Sequence, residues 1–283
     1  MLIFVFSCLS ALSAVLLCVS TDVFSSLHWL WVLPAGLVGS FALLAGLAFV
    51  FLLIVCARID PEKIRDQDSP WFRWMMMEYV DVILKVLPVR VCTEGLEKLP
   101  KDGRFLLVSN HLDDTDPAFF YYCFHKSQLA FVGKKETKNM FLVNKVMPKL
   151  LCPTINREND REALKTILRC ISLLKSDTVS IAIFPEGRIN PYRKLAHFRP
   201  GVFKIAQKAN VPIVVCTLRG THDAMLRLKK LKGSTVHLHL LDVIQPESFM
   251  DKTTVQIAEE IYQMMAQDLG PENVLTPAEE ENT

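Results

Sequence analysis

Several chemistries are missing from this chain. Its eight cysteines form no CxxC pair and have no His-rich neighbour, so neither a zinc site nor a disulfide framework is indicated. Cys8, Cys18 and Cys56 lie in apolar stretches, while Cys92, Cys123, Cys152, Cys170 and Cys216 are scattered; all read as reduced thiols packed as small apolar groups. There is no GxSxG elbow to supply the usual esterase nucleophile, and no internal repeat. A net charge of +2 is too small to argue for nucleic acid. Charge is absent altogether from residues 2 to 19 and 29 to 56.

Those uncharged runs are the first positive signal. At about 1.5 Å rise per residue they reach roughly 27 and 40 Å as helices, enough for a hydrocarbon core of about 30 Å. No Lys or Arg precedes the first run and no clear small-x-small cleavage site follows it, which disfavours a secretory signal. We therefore expect residues 1–57 to form a membrane-embedded two-helix hairpin, crossing the bilayer or lying in one leaflet. The 20–28 loop has no Lys or Arg, whereas Arg58, Lys63, Arg65 and Arg73 follow the second run. Positive-inside bias then places the remainder on the cytoplasmic face. Gly36 with Ser40, and Gly39 with Gly46, are small residues at helix-packing spacing that suit contact between the two membrane helices.

The remainder, 51 % apolar as a whole chain, can bury a sizeable core. Residues 58–84 read as a linker followed by an amphipathic helix, "WFRWMMMEYVDVILKVL". Within 85–270, "VRVCTEG", "RFLLVSN", "LAFVGK", "CPTIN", "VSIAIFPEG", "VPIVVCTLRG" and "VHLHLLDVI" read as strands, and 117–126, 138–147, 160–176, 200–209 and 253–267 as helices. Nearly continuous apolar strands alternating with helices predict an α/β fold, with a mixed, mostly parallel central sheet flanked by helices. In such sheets, ligands gather at the carboxyl ends of strands. The acidic tail, 271–283, is expected to be disordered.

Three strand ends carry polar groups. "NHLDDTDP" places His111 and Asp116 after "RFLLVS". Residues five apart in a helix lie about 140° apart around its axis, so the two cooperate only if the chain between them turns. Asp116 before Pro117 can supply that turn as a helix cap, and capping alone would also explain it. Asp113 and Asp114 are rival partners for the histidine. "IAIFPEGRIN" ends a second strand with Glu186, Gly187 and Arg188: a glycine for close backbone approach, a planar cation for phosphate, and a carboxylate that can orient that cation or hold a hydroxyl. "CPTIN" ends a third at Arg157. A histidine–aspartate pair with two guanidinium groups suits a phosphate-bearing substrate presented to a general base; strand-ending turns with surface ion pairs are the plainer explanation. His222 beside Asp223 is a weaker polar pair. His237 and His239 share a strand face but lack further metal ligands.

The order HxxxxD, the Arg of "PTINREN", "FPEG" and "VPIV" resembles the glycerolipid acyltransferase superfamily, most closely its 1-acyl-glycerol-3-phosphate (lysophosphatidate) acyltransferases, over about residues 85 to 245 and the hairpin before them. HxxxxD alone is weak; followed some seventy residues later by FPEG it is specific. The resemblance implies that His111 is the catalytic base and Asp116 its partner. It also implies that Arg157 is the substrate-binding arginine of the second motif, that Glu186 and Gly187 bind the glycerol-phosphate portion, that Pro212 belongs to the fourth motif, and that Lys134 and Lys135 form a basic substrate segment. Asp113 stands where the family has a small hydroxyl residue. Arg188 and Ile189 stand where Thr and Arg are common, and a basic residue directly after the glycine is similar to tafazzin-like transacylases.

The implied activity is transfer of a fatty acyl group from acyl-CoA or acyl carrier protein to the free hydroxyl of 1-acyl-glycerol-3-phosphate, giving phosphatidate. The thioester donor is a co-substrate, with no metal or prosthetic group expected. Action on another lysophospholipid is the alternative among enzymes, and a non-catalytic lipid-binding membrane protein the alternative outside them. A pure binder has no need of a base beside a carboxylate.

Overall fold

The computed structural model describes residues 1–156, 159–230 and 232–281. It opens on two apolar helices, α1 (Leu2–Ser20) and α2 (Trp29–Ala57), each long and apolar enough to cross a membrane. Their large apolar side chains point mostly outward, among them Phe4, Leu12, Leu16, Val38, Leu43 and Leu47. That is the inverse of a soluble helix pair, whose apolar stripes face inward. The helices meet where side chains are small: a Cβ built on Gly36 would lie 3.4 Å from that of Ala14, and Ser40 Oγ donates to the Ser10 carbonyl at 3.3 Å. Gly36 and Ser40 thus occupy the helix contact, whereas Gly39 and Gly46 have nothing near them.

Helix α3 (Pro70–Val86) joins the hairpin to the body. Tyr79 Oη donates to the Ala48 carbonyl at 2.5 Å, and the Met1 amino group lies 2.9 Å from Glu78. Arg73 at its base is buried. It forms a bidentate pair with Asp68 (2.7 and 3.0 Å) and donates to the carbonyls of Leu129 and Leu150. Four matched acceptors make burial of this charge tolerable. Arg73 is therefore an internal tie rather than one of the free cations flanking the hairpin; Arg58 and Lys63 stay exposed.

The body runs β1 (Val89–Glu94), β2 (Leu106–Ser109), α4 (Asp116–Cys123), β3 (Leu129–Phe131), β4 (Gly133–Lys134), α5 (Phe141–Lys149), β5 (Thr154–Ile155), α6 (Asp160–Lys175), β6 (Ser180–Ile183), α7 (Lys204–Ala209), β7 (Ile213–Arg219), α8 (Thr221–Leu228), β8 (Ser234–Ile244), α9 (Thr254–Leu269) and α10 (Pro277–Glu281). Six strands form one sheet in the order β1-β8-β7-β2-β6-β3, parallel except between β7 and β8; β4 and β5 pair separately. Strands β2 and β6 are buried along their whole length, as expected of central strands covered on both faces. Strand β8 alternates instead, with Val236, Leu238 and Leu240 inward. Helix α9 starts with a Thr253/Gln256 capping box and buries Ile257, Ile261, Met265 and Leu269 against the sheet at helical spacing.

Three expectations differ from the structure. The helix expected over 138–147 is a 3-10 turn, Lys135–Asn139, followed by α5, because Met140 is extended between them. Helix α8, Thr221–Leu228, is absent from the expected helices. Residues 271–281 of the tail, expected to be disordered, lie against the body: Leu275 is buried, and Lys194 and His197 face Glu279 and Glu280. Composition registers the acidity of that tail but not its basic partners some eighty residues earlier.

Candidate active site

Register brings the two principal motifs together. Strands β2 and β6 are neighbours with Val108 opposite Ile183, so continuing each by three residues places His111 beside Glu186. On its other side β2 pairs with β7. There the buried Asn110 side chain donates to the Leu218 carbonyl (2.9 Å) and accepts from the Leu218 amide (2.8 Å), extending the ladder past the end of the strand. His111 therefore leaves the sheet from a fixed point.

The turn after His111 folds around Asp116. One carboxylate oxygen, Oδ2, accepts from His111 Nδ1 at 2.8 Å and from the amides of Leu112 and Asp113 at 2.7 and 3.0 Å. These bonds point back over the turn rather than forward into α4, where Asp116 is the first helical residue and Thr115 the cap position. Asp116 thus orients the histidine without capping the helix, contrary to the expected double role. A carboxylate can only accept here, so Nδ1 carries a proton, and in the neutral ring the lone pair is on Nε2. The ring lies flat on Phe184 of FPEG, with centroids 4.0 Å apart and 5° between planes. His111 is partly exposed while Asp116 is fully buried. Asp116 Oδ1 has no hydrogen-bond partner.

Glu186 sits behind the histidine. Its Oε1 accepts from the His111 amide at 2.8 Å and its Oε2 from the Ala196 amide at 3.0 Å. Burial pushes its carboxyl up to about 8, with the Asp116 charge adding to the rise and the two amides opposing it. At neutral pH Glu186 is therefore mainly protonated. Glu186 does not line the cavity described next, so the structure places it as a brace for His111 rather than against the glycerol-phosphate portion of a substrate. Gly187 turns with φ +81, and a Cβ there would come within 2.8 Å of Arg199 Nε; only glycine combines this turn with that close approach.

In front of His111 lies a cavity of about 780 Å³. Its lining includes an apolar set, Met76 and Val80 of α3, Tyr121 of α4, and Val143, Val146 and Met147 of α5, and a basic set, Lys134, Arg188, Arg193 and Arg199. Lys134 also lies 3.4 Å from Asp114, an exposed pair of little energetic weight. Gly187 and Arg188 line this space, whereas Lys135 is exposed and does not. Arg157 falls outside the described residues. Arg193 and Arg199 were not anticipated, although "RINPYRKLAHFRPG" holds both within twelve residues of Gly187. Arg193 adopts a left-handed φ of 57 and donates to the Leu112 carbonyl at 2.7 Å.

A second histidine joins the same turn. His222 Nδ1 lies 3.2 Å from Asp113 Oδ2, while Asp113 Oδ1 accepts from the Thr115 amide and hydroxyl. Against the desolvation that opposes ionisation, the bonds from Thr115 and His222 hold the Asp113 carboxyl below its ordinary value. The partner of His222 is thus Asp113, not the adjacent Asp223. His239 is likewise taken up structurally, 2.8 Å from Asp268 of α9.

Comparison with known proteins agrees with this geometry. The Acyltransferase family model matches residues 90–219. A probable 1-acyl-sn-glycerol-3-phosphate acyltransferase of Mycoplasma pneumoniae is 26 % identical over 234 residues, covering 77 % of this chain and 87 % of that protein. A 1-acyl-sn-glycerol-3-phosphate acyltransferase of Borreliella burgdorferi is 25 % identical over 187 residues, 65 % of this chain and 74 % of its own length. The crystal structure of the 1-acyl-sn-glycerophosphate (LPA) acyltransferase PlsC from Thermotoga maritima superposes with a TM-score of 0.58 at 23 % identity, over 80 % of this chain and 95 % of that one, and shares the fold. Residues 90–219 thus form an acyltransferase domain similar to those of the glycerolipid acyltransferase superfamily.

Proposed function

We propose that this chain is a membrane-associated O-acyltransferase that moves a fatty acyl group from a thioester donor, acyl-CoA or acyl carrier protein, to the free hydroxyl of a lysophosphatidate-type acceptor, giving phosphatidate. The observation that carries the reading is the pairing of His111 with Asp116 at the wall of a cavity whose lining holds both an apolar and a basic set of side chains. The acceptor has two corresponding parts: an acyl chain suited to Met76, Val80 and Val146, and a phosphate suited to the arginines.

His111 Nε2 takes the proton of the glycerol hydroxyl as that oxygen attacks the thioester carbonyl. Asp116 holds the ring in the required tautomer and stabilises the imidazolium as it forms. The tetrahedral intermediate collapses with cleavage of the C–S bond, and the proton passes from Nε2 to the departing thiolate. No covalent enzyme intermediate is required, since the thioester is already activated. Arg188, Arg193, Arg199 and Lys134 counter the acceptor's phosphate charge and fix the hydroxyl within reach of the base.

The setting beside the membrane follows from the same elements. Helix α3 contributes to the cavity wall and also contacts the hairpin, so an acyl chain can pass from lipid to site along it. Exposed Arg58 and Lys63 just after α2 favour a cytoplasmic position for the body.

The test is thiol release from oleoyl-CoA by purified protein in detergent, with and without lysophosphatidate. Release that depends on the acceptor supports the reading; none with oleoyl-CoA or an acyl carrier protein donor overturns it. Arg188, directly after Gly187 and at the cavity, favours one second reading, a transacylase or an acyltransferase for another lysophospholipid. A panel of acceptor head groups separates the two.

A further inference from the structure

Residues 271–281 cross the loop that bears Arg193 and Arg199. The Leu195 amide donates to the Asn273 carbonyl at 2.8 Å, and the Leu275 amide to the Leu195 carbonyl at 3.0 Å, forming a short parallel bridge. Leu195 and Leu275 are both buried under it. To either side, Lys194 Nζ lies 2.8 and 3.0 Å from the two Glu279 carboxylate oxygens, and His197 Nε2 lies 3.5 Å from Glu280. The His197 ring also stacks on Tyr262 of α9, with centroids 4.7 Å apart.

The same run of residues faces the reaction site from its other edge. Arg193 holds the Leu112 carbonyl, and the Ala196 amide holds Glu186, whose second oxygen holds the His111 amide. Lys194, Leu195 and His197 are therefore gripped by the tail and α9, while Arg193 and Ala196, interleaved with them, grip the turn of the base. Between Arg188 and Arg199 the chain has no helix or strand of its own, so its conformation depends on contacts from outside.

We propose that residues 271–281 act as a strap that positions the base: by fixing Leu195 they hold Ala196 against Glu186 and, through Glu186, the backbone of His111, an inference that rests on the reading of His111 as base. Lys194, Leu195, Leu275 and Glu279 are positioning residues in this scheme. Release of the strap leaves a buried Glu186 oxygen without its donor, which local rearrangement would relieve at the expense of the His111 backbone. It also frees Arg193, and with it part of the phosphate site.

The experiment compares the full chain with a chain ending at Gly270, with Glu279→Lys, and with the reversed pair Lys194→Glu/Glu279→Lys. Amide hydrogen exchange is followed in peptides covering 193–199 and 110–112, together with kcat and KM for oleoyl-CoA and lysophosphatidate. The shortened chain is expected to exchange at least about tenfold faster in both peptides and to lose about tenfold or more in kcat, with KM for the acceptor raised. Glu279→Lys should lose severalfold in kcat, and the reversed pair should recover most of that loss. Where the shortened chain does not fold, the single and reversed variants decide.

Unchanged exchange, faster exchange with unchanged kcat, or a reversed pair no better than the single variant each overturns the strap. A purely structural role would lower Tm without the paired change at 110–112 and without rescue by charge reversal. If the full chain transfers no acyl group, the chemical reading has failed; the exchange arm still decides whether the strap holds the His111 backbone.

Discussion

Two histidine–aspartate pairs share one turn of this protein, and they differ in what surrounds them. His111 and Asp116 are 2.8 Å apart, with the carboxylate fully buried, the ring stacked on Phe184 and the ring at the cavity wall. His222 and Asp113 are 3.2 Å apart, both partly exposed, and neither lines the cavity. A carboxylate beside an imidazole is thus a common arrangement; a fixed tautomer aimed at a substrate-sized space is not. The first pair has the build that the proposed base requires, and the second ties α8 to the turn.

The comparison breaks if the pairs respond alike to substitution. His111→Ala should cost the most, about 10²- to 10⁴-fold in kcat as expected for removal of a general base, read as phosphatidate formed per minute. Asp116→Asn should come close to it, since an amide can donate to Nδ1 and favour the wrong tautomer. Removing Arg193 or Arg199 as Ala should act mainly on KM for the anionic acceptor, by roughly tenfold, with a smaller effect on kcat and a response that weakens at high salt. His222→Ala and Asp113→Ser should lose less than about fivefold, because only a partly exposed pair is removed.

Glu186 sharpens the contrast through pH. Its folded carboxyl lies near 8 and its ordinary value near 4.5, so between those values the folded state binds more protons than the unfolded state, and stability falls as pH rises. Glu186→Gln should flatten that fall in Tm across pH 5 to 8. Asp113, held below its ordinary value, works in the opposite sense: its contribution is present above the ordinary value and is lost as pH falls through the lowered one.

What the sequence disclosed follows from range. The strand pattern, the hairpin and the two main motifs are local signals, and the pairing of β2 with β6 only had to bring them together. The contact of His222 with Asp113 spans more than a hundred residues, and no spacing rule connects them. Arg193 and Arg199 were hidden differently, in a loop with no motif to single them out, whose fold brings both to the cavity. Glu186 was legible as a motif residue but not as a brace, because burial and backbone partners are properties of the folded chain. The tail was misjudged for the same reason: acidity predicts disorder only where no basic partner is held nearby.

The most direct test places the two histidines side by side: phosphatidate formation from oleoyl-CoA and lysophosphatidate by the full chain, by His111→Ala and by His222→Ala, each shown to be folded. The account predicts near-normal product from His222→Ala and a loss of at least about a hundredfold from His111→Ala. Equal activities in the two variants, whether both high or both low, would contradict it.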